Sequence, residues 1–164
     1  MAENDHLSQS TLSSQRPEVR QASAAEIDLL VPLFDAYRQF YRKASDPEGA
    51  RRFLLERLNH NQSVIFLAFH GAAAAGFTQL YPSFSSAAMA RIFILNDLFV
   101  APQARRRGIG AALLQAAAEH GRRMGAVRLV LSTEETNITA QALYEREGWT
   151  RDSVFRTYQL TLAR

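Results

Sequence analysis

The chain has no cysteine among its 164 residues. That absence excludes disulfides, thiolate metal ligation and cysteine nucleophiles. Its four histidines, His6, His60, His70 and His120, are scattered without ligand spacing, so no metal site is expected. No apolar run is long enough to span a bilayer, and the N-terminus has no apolar core of signal-peptide length. The expectation is a soluble, cytoplasmic protein with no membrane partner. Neither charge sign dominates: 19 basic against 16 acidic residues leave a net +3, which suits an anionic ligand without arguing for nucleic acid. Two nucleotide signatures are missing as well. No Gly-Lys-Ser/Thr is present, and the Gly108-x-Gly110 pair lacks the third glycine of a dinucleotide fingerprint, because position 113 is Leu113. The following strand ends in Ser132-Thr133 where that fingerprint wants an acid.

What remains is an ordinary globular composition, 47% hydrophobic, in a length suited to one domain. Residues 1–17 are polar and rich in Ser and Gln, and are expected to form a disordered extension ahead of a single domain over 18–164. Glu18 to Gln21 reads as a short strand. Ser23 and Glu26 form a capping-box pair ahead of a helix whose apolar face carries Ile27, Leu30, Leu33, Phe34, Tyr37, Phe40 and Tyr41, with Pro32 as a prospective kink. Asp46-Pro47-Glu48 restarts a helix that turns Phe53, Leu54 and Leu58 inward. Strands are predicted over Ser63–Phe69, Ala74–Tyr81 (closed by Pro82), Ile92–Val100, Val127–Ser132 and Val154–Leu162. Helices are predicted over Gly108–Met124, ended by Gly125, and over Ile138–Glu147, stopped by Gly148. This alternation gives a layered α/β or α+β fold.

The most informative stretch runs from Leu98 to Leu114. A buried strand ends, Pro102 stops it, Arg105, Arg106 and Arg107 follow, and Gly108 and Gly110 open an apolar helix. Glycines let backbone N–H groups approach an anion, a helix start favours negative charge, and guanidinium groups fork onto phosphate oxygens. A pyrophosphate-bearing ligand is expected. The plainer alternative is a solvated charge run beside a simple turn.

Arg105-x-x-Gly108-x-Gly110, placed after the strand Leu95-Asn96-Asp97-Leu98-Phe99-Val100, resembles the acetyl-CoA signature of the GCN5-related N-acetyltransferase (GNAT) family. A second segment, from Asn137 through Ala140, Leu143 and Tyr144 to Gly148-Trp149, resembles that family's next motif at the expected distance. The likeness extends from about Val19 to the C-terminus. It implies a splayed, mixed, mostly antiparallel sheet flanked by helices, and acetyl-CoA as co-substrate without a metal.

By the same resemblance, the amides of Arg106, Arg107, Gly108, Ile109, Gly110 and Ala111 bind pyrophosphate, assisted by the Arg105–Arg107 side chains. The backbone of Leu98, Phe99 and Val100 holds the pantetheine arm, and Asn137 touches the cofactor or caps its helix. Tyr144 sits at the family's general-acid position; a phenol stays protonated at neutral pH, although a core aromatic is the competing reading. Asp97, Glu134 or an ordered water is the candidate base. Strand alternation puts Asn96 and Asp97 on opposite faces. The diamine acetyltransferases, which the chain resembles here, carry an acid where this sequence has Asn96, and that departure weakens a polyamine reading.

The acceptor regions hold Tyr37, Arg38, Tyr41, Arg42, Tyr81, Phe84 and Met89. Of these Tyr37, Tyr41 and Tyr81, with Asn96, are the candidate acceptor-binding residues; Tyr37 and Tyr41 also fit a core role. The expected activity is direct transfer of an acetyl group to a primary amine of a small molecule. A protein or peptide acceptor and a non-catalytic acyl-CoA-binding module are the alternatives. A homodimer is the family expectation, with Val154–Leu162 as a contributor.

Overall fold

The computed structural model describes residues 17–162. The expected N-terminal extension, apart from Pro17, lies outside the described residues. Strand β1 (Glu18–Gln21) leads into Ser23, whose hydroxyl and Glu26 carboxylate complete the capping box. One 3-10 turn (Ala24–Glu26) then passes into helix α1 (Ile27–Phe40). Pro32 leaves α1 unbroken. It sits on the exposed side of the helix, where water can serve the carbonyl that its missing N–H abandons. Helix α2 (Pro47–Asn59) starts as its sequence predicts, with Pro47 in the first turn and the Asp46 side chain accepting from Gly49 N at 2.8 Å.

Strands β2 (Val64–His70), β3 (Ala73–Ser85), β4 (Ala90–Val100) and β5 (Arg128–Val130) complete one sheet in the order β1-β2-β3-β4-β5. The first three pairings are antiparallel and β4–β5 is parallel. Helix α3 (Ile109–Arg123) joins β4 to β5, and α4 (Ile138–Arg146) follows β5. The splayed mixed sheet expected from the sequence is therefore present.

Three strand boundaries depart from the sequence reading. β3 does not close at Pro82 but continues to Ser85, because β2 pairs with it only as far as Leu80. Beyond that point β3 has β4 on one side alone, so a proline without an N–H costs no ladder bond on the open side. β5 is three residues long rather than six, since β4 and β5 separate after Ile94. Val154–Leu162 is not a strand: it has no partner among the described residues and is exposed throughout.

The central strand pair contains the decisive irregularity. Leu80 faces Leu95, while Gln79 faces Asp97, so Asn96 is an extra residue in β4. A bulge of this kind reverses which face the following side chains take. Before it, Phe93 packs on His120 of α3, with ring centroids 5.2 Å apart. After it, Phe99 packs on Tyr37 of α1 at 6.4 Å. Phe77 of β3 shares the α1 face, lying 5.9 Å from Phe34. The two helices thus cover opposite faces, and the core fills both layers. Gly76 makes the α3 layer possible: a Cβ there would lie 2.6 Å from the carbonyl oxygen of Phe99 and 3.3 Å from Ile109.

Candidate functional site

The loop between β4 and α3 has a specific shape. Pro102–Ala104 forms a 3-10 turn, and then Arg106 and Gly108 adopt left-handed backbone with φ of 60° and 77°. Left-handed residues two apart curl a backbone into the concave form that gathers N–H groups. Gly108 is the N-cap of α3 and supplies no capping side chain. The first helical bond is Ala112 N to Gly108 O at 3.0 Å, so the Ile109, Gly110 and Ala111 amides have no helical acceptor. Ile109 offers only its amide, because its side chain is in the core. Gly110 has a second reason to be glycine: a Cβ would come within 2.9 Å of Leu143 on α4.

The three arginines are not equivalent. Arg105 donates Nε to the Val100 carbonyl at 3.1 Å and so braces the loop. Arg107 Nη1 reaches His70 Nε2 at 2.6 Å. A guanidinium can only donate, so His70 Nε2 is the acceptor in that contact. His70 thus joins the loop from the end of β2, a placement no sequence spacing signalled.

Beside the loop the sheet is open. β5 pairs with β4 only through Ile92–Ile94, leaving Leu95–Val100 without a strand partner on that side. Leu98, Phe99 and Val100 all lie in this open stretch.

Asp97 is 3% exposed and sits on the α1 face, where the bulge sends it. Gln79 Nε2 donates to its Oδ2 at 2.6 Å and Asn96 Nδ2 to its Oδ1 at 3.0 Å. Asn96 and Asp97 are therefore in contact, contrary to the opposite-face expectation, because alternation fails at the bulge. Burial raises the Asp97 carboxyl above the usual carboxylate range, and its hydrogen bonds from Gln79, Tyr37 and Asn96 oppose that rise.

The tyrosines converge on this carboxylate. Burial, then the charge of Asp97, pushes the Tyr37 phenol up. The same two causes push Tyr81 up to about 12, with Arg57 of α2 pulling the other way. Tyr41 rises through burial and through Glu134 and Asp97, and its ring meets Tyr37 edge-on at 5.1 Å. From α4, Tyr144 packs on Trp149 at 6.3 Å. Burial raises its phenol, Tyr41 adds to the rise and Thr133 opposes it. Tyr37, Tyr41, Tyr81, Asn96, Asp97 and Tyr144 are thus linked neighbour to neighbour in one cluster. Asn137 caps α4, its Oδ1 accepting from Ala140 N at 3.2 Å. Phe84 and Met89 are not in this cluster: both are exposed around the β3–β4 turn.

Sequence reasoning passed over Gln79. Its signal was there, as Thr78-Gln79 interrupts an apolar strand, and both residues are fully buried. Asp35 was also missed. It accepts from Ser45 Oγ at 2.7 Å, Asp46 N at 2.8 Å and Gln39 Nε2 at 2.9 Å, tying the α1–α2 connection to the helix that carries Tyr37.

The profile of the Acetyltransferase (GNAT) family matches residues 30–149. The chain belongs to the GNAT acetyltransferase family. It is 48% identical over 144 residues to a protein of Bacillus subtilis (strain 168) described as the uncharacterized N-acetyltransferase YhfO, covering 88% of this chain and 97% of that one. A probable acetyltransferase of Haemophilus influenzae is 34% identical over 138 residues, 84% of this chain and 92% of its own length. A crystal structure of a probable acetyltransferase superposes with a TM-score of 0.85 at 44% identity, covering 90% of this chain and all but 1% of that one. The GNAT chain is accordingly an N-acetyltransferase, and acetyl-CoA dependence comes with the family. Among the described residues no helix is long and apolar enough to cross a membrane.

Proposed function

We propose that this GNAT enzyme transfers the acetyl group of acetyl-CoA to a primary amine of a small molecule, by direct attack while both substrates are bound. The observation that carries the reading is one cluster of side chains: a buried carboxylate, Asp97, connected through Tyr37 and Tyr41 to a half-buried phenol, Tyr144, beside an open strand edge. The residues present fit acetyl-CoA. The amides of Arg106 to Ala111 and the Arg105–Arg107 side chains take the pyrophosphate, Arg107 with His70 as neighbour. The open backbone of Leu98, Phe99 and Val100 takes the pantetheine arm as an added strand, and Asn137 stands at the start of the facing helix. Acetyl-CoA supplies the thioester acyl group.

The chain's residues then handle the protons. An amine arrives as ammonium and must lose a proton before its nitrogen can bond to the acyl carbon. Asp97, made more basic by burial, accepts it, directly or through Tyr37 and water, with Glu134 further along the cleft. As the carbon–sulfur bond breaks, Tyr144 donates its phenolic proton to the leaving sulfur; its raised affinity for that proton keeps it loaded at neutral pH. Tyr37, Tyr41 and Tyr81, with Asn96, line the acceptor side. Their aromatic bodies suit the short apolar portion of a small amine better than a long peptide.

The same reading includes one acetyltransferase domain over 18–164, a cytoplasmic location, a homodimer, and no nucleic-acid or metal requirement. The test is a screen of amino acids, polyamines, aminoglycosides and peptides with acetyl-CoA, read by free-thiol release. Turnover of one or more small amines supports the reading. Turnover of peptides alone moves the acceptor to protein, and acetyl-CoA binding without any turnover points to a binding module.

A further inference from the structure

Asp97 is buried without a counter-ion: among the described residues no Lys, Arg or His forms an ion pair with it. Three uncharged donors meet its carboxylate instead, Gln79, Tyr37 and Asn96. They are not equivalent. Asn96 is exposed, so water can stand in for it. Tyr37 is half-buried. Gln79 is fully buried, and its 2.6 Å contact is shorter than the 3.0 Å contact from Asn96.

The strand pair builds this partnership. Gln79 stands opposite Asp97 in the register, and the neighbouring Thr78 donates Oγ1 to the Asp97 main-chain carbonyl at 2.9 Å. Two consecutive residues of β3 thus hold both the backbone and the side chain of Asp97 at the bulge, where the ladder is disturbed. Thr78 and Gln79 are buried polar residues in the otherwise apolar run Ala75–Leu80, and such burial is costly unless the groups are used. The amide of Gln79 is only half used. Among the described residues its Oε1 is buried with no hydrogen-bond partner. A buried carbonyl left in that condition calls for a physical reason.

Proton uptake at Asp97 supplies one. An ionised carboxylate only accepts, and takes the N–H end of the amide; a protonated carboxyl has an O–H to donate, and takes the C=O end. Rotation about the last side-chain bond of Gln79 exchanges the two ends without moving the strand.

We infer that Gln79 is the positioning residue of the base: its N–H aims the ionised Asp97 carboxylate, and its Oε1 accepts from the carboxyl O–H once the ammonium proton has arrived. The step balances. The ammonium N–H bond breaks, its electron pair stays on nitrogen, an O–H bond forms on Asp97, and Gln79 neither gains nor loses a proton. The neutrality of Gln79 is part of the design. A cation there would hold the carboxylate too firmly for it to be an effective base, and an apolar residue would leave burial less opposed. The titratable neighbours are phenols, Tyr37 and Tyr41 of α1 and Tyr81 of β3. Full charges act on those phenols rather than on Asp97, Arg57 of α2 on Tyr81 and Glu134 on Tyr41. The inference rests on the reading of Asp97 as base and names the residue that sets it.

Two variants test it. Gln79→Met removes both ends of the amide at similar volume, and Gln79→Glu puts a second carboxyl against the first. Titration of the Asp97 carboxyl carbon by 13C NMR, with the signal identified by its loss in Asp97→Asn, needs no acceptor. A charge-assisted bond is about twice as strong as a neutral one. Gln79→Met should therefore raise the Asp97 titration by about one pH unit. In Gln79→Glu the two carboxyls share a proton, and the pair should titrate about two units higher. The acidic limb of kcat/KM, measured with an amine found by the screen above, should move by the same amounts. Acetyl-CoA affinity should stay within about a factor of three, because Gln79 is outside the cradle. A lower kcat with both the carboxyl titration and the limb unmoved marks a packing role and overturns the inference. A carboxyl titration that moves while the limb stays contradicts the base reading alone, and leaves the Gln79 contact supported.

Discussion

Gln79 Nε2 donates to Asp97 Oδ2 at 2.6 Å across the two central strands, and the extra residue Asn96 makes that contact available. Without the bulge, Asp97 would continue the alternation of Phe93 and Leu95 and turn toward α3. With it, the carboxylate shares a face with Tyr37 and Tyr81. A single irregularity in one strand thereby moves a carboxylate from the α3 face to the tyrosine-lined α1 face.

Replacing Asp97 with Asn should lower kcat/KM about a hundredfold or more, the usual range for loss of a general base. The unmodified enzyme should lose activity as pH falls through a carboxyl value above the ordinary one near 4, because burial raises Asp97. In Asp97→Asn that acidic limb should vanish. A limb retained at the same pH would assign the base elsewhere, with Glu134 the next residue to replace.

Tyr144→Phe should reduce kcat at least tenfold while leaving acetyl-CoA affinity within about a factor of three, since the ring and its packing on Trp149 remain. Steady-state kinetics paired with calorimetry separates the two. An unchanged kcat with a true acceptor would remove Tyr144 from proton donation.

Gly108→Val should weaken acetyl-CoA binding. The position is left-handed, with φ of 77° and open space around it, so the cost is backbone strain rather than collision. A β-branched residue there is strongly disfavoured. The variant should restore an ordinary φ and turn the amides of the cradle outward, giving a tenfold or greater rise in Kd, on the order of 1.4 kcal/mol. Calorimetry with acetyl-CoA reads it directly.

Asp35→Ala should destabilise the fold by about 1–3 kcal/mol, through buried donors left without an acceptor. The pH dependence has a definite sign. Hydrogen bonds to Asp46 N, Ser45 and Gln39 hold Asp35 below its ordinary value despite burial. Its contribution is therefore complete above the unfolded carboxyl value and is lost as pH falls through the lower folded one. Denaturation curves for the variant and parent should converge at strongly acidic pH. A constant gap across that window would contradict this assignment.

Most of the fold was legible because its signals are local. The Ser23–Glu26 capping box, the Asp46-Pro47 helix start and the Ile109, Leu113, Leu114, Ala117 face each act within a few residues, and each is present as read. What escaped the sequence depends on pairing. The length of β3 past Pro82 is decided by where β2 stops, and the shortness of β5 by where β4 leaves it. Val154–Leu162 has strand chemistry without a strand beside it. The site divides in the same way. The arginine–glycine loop could be placed from its own residues, whereas the Gln79–Asp97–Tyr37 cluster depends on a bulge and the His70–Arg107 contact on a distant turn.

The most direct measurement of the central claim follows an acetyl label. Acetyl-CoA labelled in its carbonyl carbon is incubated with the enzyme and a small-amine acceptor, and both product and protein are analysed by mass spectrometry. The expected result is label on the amine nitrogen, one free thiol for each amide formed, none on the protein, and a marked loss of both products in the Asp97→Asn, Tyr144→Phe double variant. Undiminished labelling by the double variant, or label accumulating on the protein before the amine is added, would contradict direct transfer in this cleft.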